Sequence, residues 1–154
     1  MVKDEILKIK KVIEEFLDKM GLSGDVSADE QDSDFLRFNI VSPEAGFLIG
    51  SAGDNLAALQ QLVRLVVGKD QVSPVRFFID VNGYQRMKLS SLIEQAKQLA
   101  AEVAEHQDSR WLAPMNAYER RAVHLALAEL SGVKTESEGE GPQRRIVIRP
   151  TQAN

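Results

Sequence analysis

The stretch Leu48-Ile49-Gly50-Ser51-Ala52-Gly53-Asp54-Asn55-Leu56 decides how the first half of the chain is read. Two glycines spaced by two residues, with aliphatic residues before and a leucine after, mark a tight turn between two short helices. Neither end of that turn carries a side chain, so a nucleic-acid backbone can approach the main chain closely. The N–H groups that open the following helix are suited to phosphate oxygens. No Lys-Ser/Thr pair follows Gly53, which excludes a P-loop. The spacing also departs from the Gly-x-Gly-x-x-Gly of a dinucleotide site. By itself the pattern fits a plain helix–helix turn equally well.

Working outward, residues 2–20 read as an amphipathic helix, with Ile6, Ile9, Ile13, Phe16, Leu17 and Met20 at three- and four-residue steps. Gly21 and Gly24 stop it. Two strands are expected near Asp25–Ala28 and Phe35–Val41, joined by the acidic run Asp29-Glu30-Gln31-Asp32-Ser33-Asp34. Along the second, Phe35, Arg37 and Asn39 alternate with Leu36, Phe38 and Ile40, the period of a half-buried strand. A short helix follows Ser42-Pro43-Glu44, and a longer one runs from Asp54 to Gly68 on Leu56, Leu59, Leu62, Val63, Val66 and Val67. Pro74 precedes a third strand, Val75–Val81, which Asn82-Gly83 breaks.

From Tyr84 a second unit is expected. A long helix over 84–106 carries a stripe of Leu89, Leu92, Ile93, Ala96, Leu99, Ala100 and Val103. An extended piece, Arg110–Pro114, leads to a helix at 116–131, opened by the capping-box pair Asn116 and Glu119 and ended by Gly132. Strands Val133–Glu138 and Arg144–Arg149 flank the turn Gly139-Glu140-Gly141-Pro142. Arg120 and His124 stand four apart, on one face of their helix at the rim of the stripe made by Val123, Ala126, Leu127 and Leu130. There they suit contacts to phosphate and base. A rim histidine with Arg120 paired to Glu119 is the bland alternative. Trp111, between helices, is expected in the core, with base stacking as its other use.

Charge divides unevenly along the 154 residues. Residues 1–83 hold nine Lys/Arg against fourteen Asp/Glu, a net of −5, and residues 84–154 hold ten against nine, a net of +1. Arg110, Arg120, Arg121, Arg144, Arg145 and Arg149 gather in the second half, and their planar forks match phosphate geometry. A local basic surface attracts a polyanion even on a chain of net charge −4. Hydrophobic residues at 44% and charged residues at 27% exclude a disordered or low-complexity chain. The sequence contains no stretch of about 18 uncharged apolar residues that would span a membrane. The start Met1-Val2-Lys3-Asp4-Glu5 lacks a secretory pattern. The cysteine count of zero excludes disulfides, a thiol nucleophile and a Cys-based zinc site, and agrees with a cytoplasmic location.

Residues 1–83, with Ile49-Gly50-Ser51-Ala52-Gly53 and the order helix, strand, strand, helix, helix, strand, resemble a KH domain of the bacterial type II kind. The resemblance implies a groove for about four single-stranded nucleotides, clamped by Gly50, Ser51, Ala52 and Gly53. Residues 84–154 run Met115-Asn116-Ala117-Tyr118-Glu119-Arg120-Arg121-Ala122-Val123-His124, then Ser137-Glu138-Gly139-Glu140-Gly141-Pro142, then Arg144-Arg145-Ile146-Val147-Ile148. They resemble the single-stranded-nucleic-acid-binding domain named for its Arg-three-His pair, here the R-three-H domain. A KH domain followed directly by an R-three-H domain resembles the bacterial Jag family, also called KhpB, without the N-terminal domain and charged linker that many Jag proteins carry. The expected fold is therefore α+β, a type II-like KH domain (αββααβ) at 1–83 and an R-three-H domain (αβαββ) at 84–154.

By residue, the resemblance implies nucleic-acid contacts at Arg120 and His124, with Arg144, Arg145 and Arg149 as supporting phosphate contacts. It implies a cytoplasmic binder of single-stranded RNA, or of single-stranded DNA, acting as a post-transcriptional regulator of cell elongation, division and shape. A second, small KH protein or another copy of the chain is the protein partner it implies. Ser51 and Ala52 bring no cation to the glycine loop, and the run from Asp29 to Asp34 is acidic. Both weaken phosphate attraction and motivate a second reading, a protein-interaction adaptor that pairs through its KH domain. No enzyme activity, cofactor or metal is expected: His106 is the only other histidine, and the acidic residues show no ligand spacing.

Overall fold

In a computed structural model, residues 2–30, 35–69 and 75–152 are described; Gln31-Asp32-Ser33-Asp34 of the acidic run and Pro74 lie outside them. Helices and strands mix along the whole chain, an α+β architecture that divides into two compact units, Met1–Arg86 and Met87–Asn154.

Unit 1 contains α1 (Val2–Met20), β1 (Asp25–Asp29), β2 (Leu36–Val41), α2 (Ala45–Ile49), α3 (Asp54–Gly68) and β3 (Phe77–Val81). Its sheet has the order β1-β2-β3, with β1 antiparallel and β3 parallel to β2. Ile9, Ile13 and Leu17 of α1, Phe38 and Ile40 of β2, Leu56 and Val63 of α3, and Ile79 and Val81 of β3 form its core. Phe38 meets Phe77 edge to face with ring centres 5.9 Å apart. Truncating a fully buried phenylalanine of this kind costs about 3–5 kcal/mol.

Strand β3 lies at the edge of the sheet, where free backbone groups would invite another chain. Gln60 of α3 closes part of it: its amide donates to the Phe77 carbonyl at 3.1 Å, and its oxygen accepts from the Ile79 N–H at 2.7 Å. Buried Ser42 and the exposed Asn82 clasp the far end. The Asn82 side chain accepts from the Ser42 N–H and donates to the Ser42 carbonyl, both at 2.9 Å.

Unit 2 holds most of α4 (Tyr84–His106), then β4 (Arg110–Trp111), α5 (Ala117–Leu127), β5 (Val133–Glu138) and β6 (Arg145–Pro150). Its antiparallel sheet has the order β4-β6-β5. Ala96, Ala100 and Val103 of α4 pack with Val123 and Leu127 of α5, Leu112, Val133, and Ile146 and Ile148 of β6. The extended piece pairs over only two residues, and α5 stops at Leu127 rather than near 131, leaving Leu130 exposed.

Candidate nucleic-acid interface

The glycine loop of unit 1 owes its shape to backbone angles that only glycine adopts freely. Gly50 has φ 72° and ψ −169°, a region almost closed to other residues. A Cβ there would fall 2.5 Å from Cγ of Asn55, whose amide donates to the Phe47 carbonyl at 2.8 Å. Gly53, at φ 85°, has the Tyr84 ring 3.1 Å from the place of its missing Cβ. Between them Ser51 and Ala52 are exposed, and Ala52 itself sits at φ 51°. Asp54 stands in the first turn of α3, so the helix end that would attract a phosphate already carries a negative side chain.

Beside the loop, Phe16, Met20, Leu22, Phe47, Leu48, Ala58, Leu59 and Leu62 line an apolar groove of about 220 Å³. Phe47 is 74% exposed at its lip.

In unit 2, α5 begins with a closed capping box. The Asn116 side chain accepts from the Glu119 N–H at 2.9 Å, and the Glu119 carboxylate accepts from the Asn116 N–H at 3.0 Å. This fixes the helix start and, one residue on, Arg120. The Arg120 guanidinium donates to the Met115 carbonyl at 2.6 Å, while the Met115 N–H donates to the Arg144 carbonyl at 3.1 Å. Arg144 in turn donates to the Gly139 carbonyl at 2.9 Å. The backbone at Gly139, with φ 89°, favours glycine, and a Cβ there would crowd the Gln143 carbonyl oxygen at 3.0 Å.

This chain of bonds anchors the Arg120 side chain to the backbone of Arg144, whose charge acts on it. Partial burial lowers the pKa of Arg120, the neighbouring positive charge of Arg144 lowers it further, and Glu119 opposes both. One turn along α5, Nδ1 of His124 lies 2.6 Å from the Thr135 hydroxyl. Its pKa is lowered, first by burial and then by the charge of Arg120, so the ring is neutral at pH 7. Ser137, two residues beyond Thr135 on the same face of β5, has a buried hydroxyl without a hydrogen-bond partner among the described residues. The outcome is a half-buried cluster of Arg120, His124 and Arg144, with two cations and a neutral hydrogen-bonding ring.

Arg145 and Arg149 do not join it. Ile146 and Ile148 enter the core beneath α5, so alternation places Arg145, Val147 and Arg149 on the opposite face of the sheet. Arg149 is also engaged there: it bonds Glu136 at 3.0 Å and Glu138 at 2.5 Å. The hydrogen bonds it donates, first to Glu136, raise its pKa, and the bonds that Glu136 accepts from Lys134 and Arg149 lower that of Glu136. Trp111, expected in the core, is 48% exposed on this face and donates from its indole N–H to Glu138 at 3.0 Å. Strand β4 is too short for its pattern to show which side Trp111 takes. Sequence reasoning also missed Thr135 and the Met115 carbonyl. The alternation of β5 from buried Val133 puts Thr135 on the helix side and could have found it.

Residues 90–150 match the R-three-H domain family. The chain is 34% identical over 148 residues to the "RNA-binding protein KhpB" of Clostridium symbiosum, covering 96% of this chain and 67% of that protein. The chain belongs to the KhpB (Jag) family. Other KhpB proteins are similar: that of Bacillus subtilis is 29% identical, over 94% of this chain and 70% of its own length. That of Lactiplantibacillus plantarum is 30% identical, over 84% and 40%. Among the described residues no helix is long and apolar enough to cross a membrane, and no group of His, Asp and Glu could hold a metal ion.

Proposed function

We propose that this KhpB-family chain binds single-stranded RNA, with unit 2 as the main binding module. The observation that carries the reading is the pairing of Arg120 with Arg144 beside neutral His124, on a domain that matches the R-three-H family. The positive charge of Arg144 disfavours that of Arg120, and a phosphodiester bound beside both offsets it. His124 then adds a hydrogen bond or stacks on a base. Its relatives' name, RNA-binding protein, favours RNA over single-stranded DNA.

Unit 1 is read as a type II KH domain whose Gly50, Ser51, Ala52 and Gly53 approach the nucleic-acid backbone. Its helix-strand-strand-helix-helix-strand order and the glycine geometry at Gly50 and Gly53 support this. The biological role we read for this chain is post-transcriptional regulation of cell elongation or division in the cytoplasm.

A second reading, a protein-interaction adaptor, is favoured by one feature of unit 1. Phe47, Met20 and Leu62 stand exposed around an apolar groove, next to a loop without cations.

Fluorescence anisotropy with a labelled single-stranded RNA of mixed sequence tests the choice. If about four phosphates are neutralised, log affinity falls with log salt at a slope near −3. Arg120→Ala/His124→Ala is expected to lose this binding. A wild-type protein that leaves RNA free while forming a stable protein pair would establish the adaptor instead.

A further inference from the structure

The sheet face of unit 2 that turns away from Arg120 and His124 carries a side-chain arrangement which the cluster on α5 does not use. Trp111 pairs directly with Val147 across β4 and β6, and Val147 is fully buried while Trp111 is 48% exposed. The ring therefore offers open aromatic surface. It is also held in place: Glu138 accepts from its N–H with one oxygen, and the other oxygen bonds Arg149, which reaches on to Glu136. Lys134 completes the ladder on Glu136 at 3.2 Å. A ring fixed before its ligand arrives loses little side-chain entropy on binding.

The charges select the ligand. Three cations, Lys134, Arg145 and Arg149, share the face with two carboxylates, Glu136 and Glu138, by strand alternation. Both carboxylates are engaged, by Lys134, Arg149 and the indole. Arg145 lies opposite Glu138 in the ladder, yet it is exposed and has no ion-pair partner among the described residues. It stands two residues from Val147, about 7 Å along β6 from the position beneath the ring. One fixed aromatic face beside one unpaired guanidinium suits a base and its phosphate.

We infer that this outer face is a second nucleotide-binding surface, which stacks one base of a single-stranded RNA on Trp111 and holds the adjoining phosphate with Arg145. The inference rests on unit 2 being an RNA-binding module, but it uses none of the residues of the Arg120 cluster.

Trp111 is the only tryptophan in the chain, so its intrinsic fluorescence reports on this face alone. Unlabelled mixed-sequence single-stranded RNA is titrated into the full chain, with anisotropy of a labelled copy followed in parallel. Tryptophan emission is expected to fall and saturate, in a salt-sensitive way. Arg145→Glu, a change at an exposed side chain, is expected to raise the RNA concentration needed for quenching roughly tenfold. Trp111→Ala should weaken anisotropy-detected binding by a similar factor, and Trp111→Phe should largely restore it. Anisotropy that rises without any change in tryptophan emission would overturn the second surface and leave the Arg120 site standing. Emission that responds to an added protein but not to RNA would overturn it in favour of a protein interface. If neither signal responds to RNA, the second surface and the RNA-binding reading fall together.

Discussion

His124 on α5 and Thr135 on β5 meet through a 2.6 Å contact between the imidazole Nδ1 and the threonine hydroxyl. This contact ties the helix that carries Arg120 to the edge strand β5, and it sets the orientation of the ring. When the hydroxyl donates, the neutral ring keeps its hydrogen on Nε2 and retains a donor for a phosphate oxygen. Thr135→Val preserves the branched shape and the strand preference but removes the partner. Stability measured by urea denaturation should fall by about 1 kcal/mol. RNA affinity should fall too, by less than for Arg120→Ala, which removes a charged hydrogen bond worth about 1.5–3 kcal/mol.

The proton balance of His124 yields a dependence on pH. Burial and the charge of Arg120 hold its pKa below the usual 6.5 in the folded, unliganded protein. Between that lowered value and 6.5 the unfolded chain binds more protons, so stability is fully present above pH 6.5 and declines as pH falls through this window. A bound phosphate reverses the effect of Arg120 and raises the pKa, so the complex takes up protons. Affinity for RNA should therefore tighten as pH is lowered from about 8 to about 6. His124→Gln should flatten both profiles; a slope unchanged in that variant would show that another group titrates.

The capping box gives a third expectation. Asn116→Ala leaves the Glu119 N–H without its acceptor and loosens the first turn of α5, at a cost of about 1 kcal/mol. Because Arg120 follows directly on that turn, RNA binding should weaken together with helix stability. Asn116→Ser or Asn116→Asp should keep both, since each side chain supplies an equivalent acceptor. Thermal denaturation and anisotropy on the same samples would reveal any separation of the two effects.

How much of this was legible in the sequence varies with the length of the pattern. Helix α1, with apolar residues from Ile6 to Leu17, and the strand pair across Gly139–Pro142 follow from periods sustained over many residues. Arg120 and His124 share a face because a step of four residues is only slightly more than one helical turn. The division of the arginines was only half visible: alternation separates Arg145 from Arg144, but which face α5 covers depends on Ile146 and Ile148 being buried beneath it. Trp111 lies in a two-residue strand, too short for any period, and its exposure follows from pairing with β6. The clasp of Gln60 on β3 comes from a polar residue on a helix reaching a strand edge 17 and 19 residues away, which local pattern does not encode.

Two glycines in neighbouring turns should respond in opposite directions. Gly46 lies inside α2 with open space around its missing Cβ and no positive φ, so Gly46→Ala should stabilise unit 1 by about 0.4–1 kcal/mol. Gly50→Ala should destabilise it by about 2 kcal/mol or more, from the backbone strain and the approach to Asn55. Chemical denaturation of the two variants side by side separates loop geometry from ordinary helix propensity.

The sharpest test of unit 1 as a nucleic-acid module lies at Ala52. It is exposed at the tip of the glycine loop in a left-handed conformation that costs a non-glycine residue about 1 kcal/mol, so the loop spends stability without supplying a cation. Ala52→Lys keeps that conformational cost and adds one positive charge where a phosphate would pass. If the loop approaches the RNA backbone, affinity should rise, and the salt slope should steepen by about 0.7, one phosphate contact on a single strand. Ala52→Gly should relieve the strain and stabilise unit 1 without changing the slope. An Ala52→Lys protein whose slope equals that of the wild type would remove the loop from the RNA path, leaving unit 1 with its Phe47 groove as a protein-contact module.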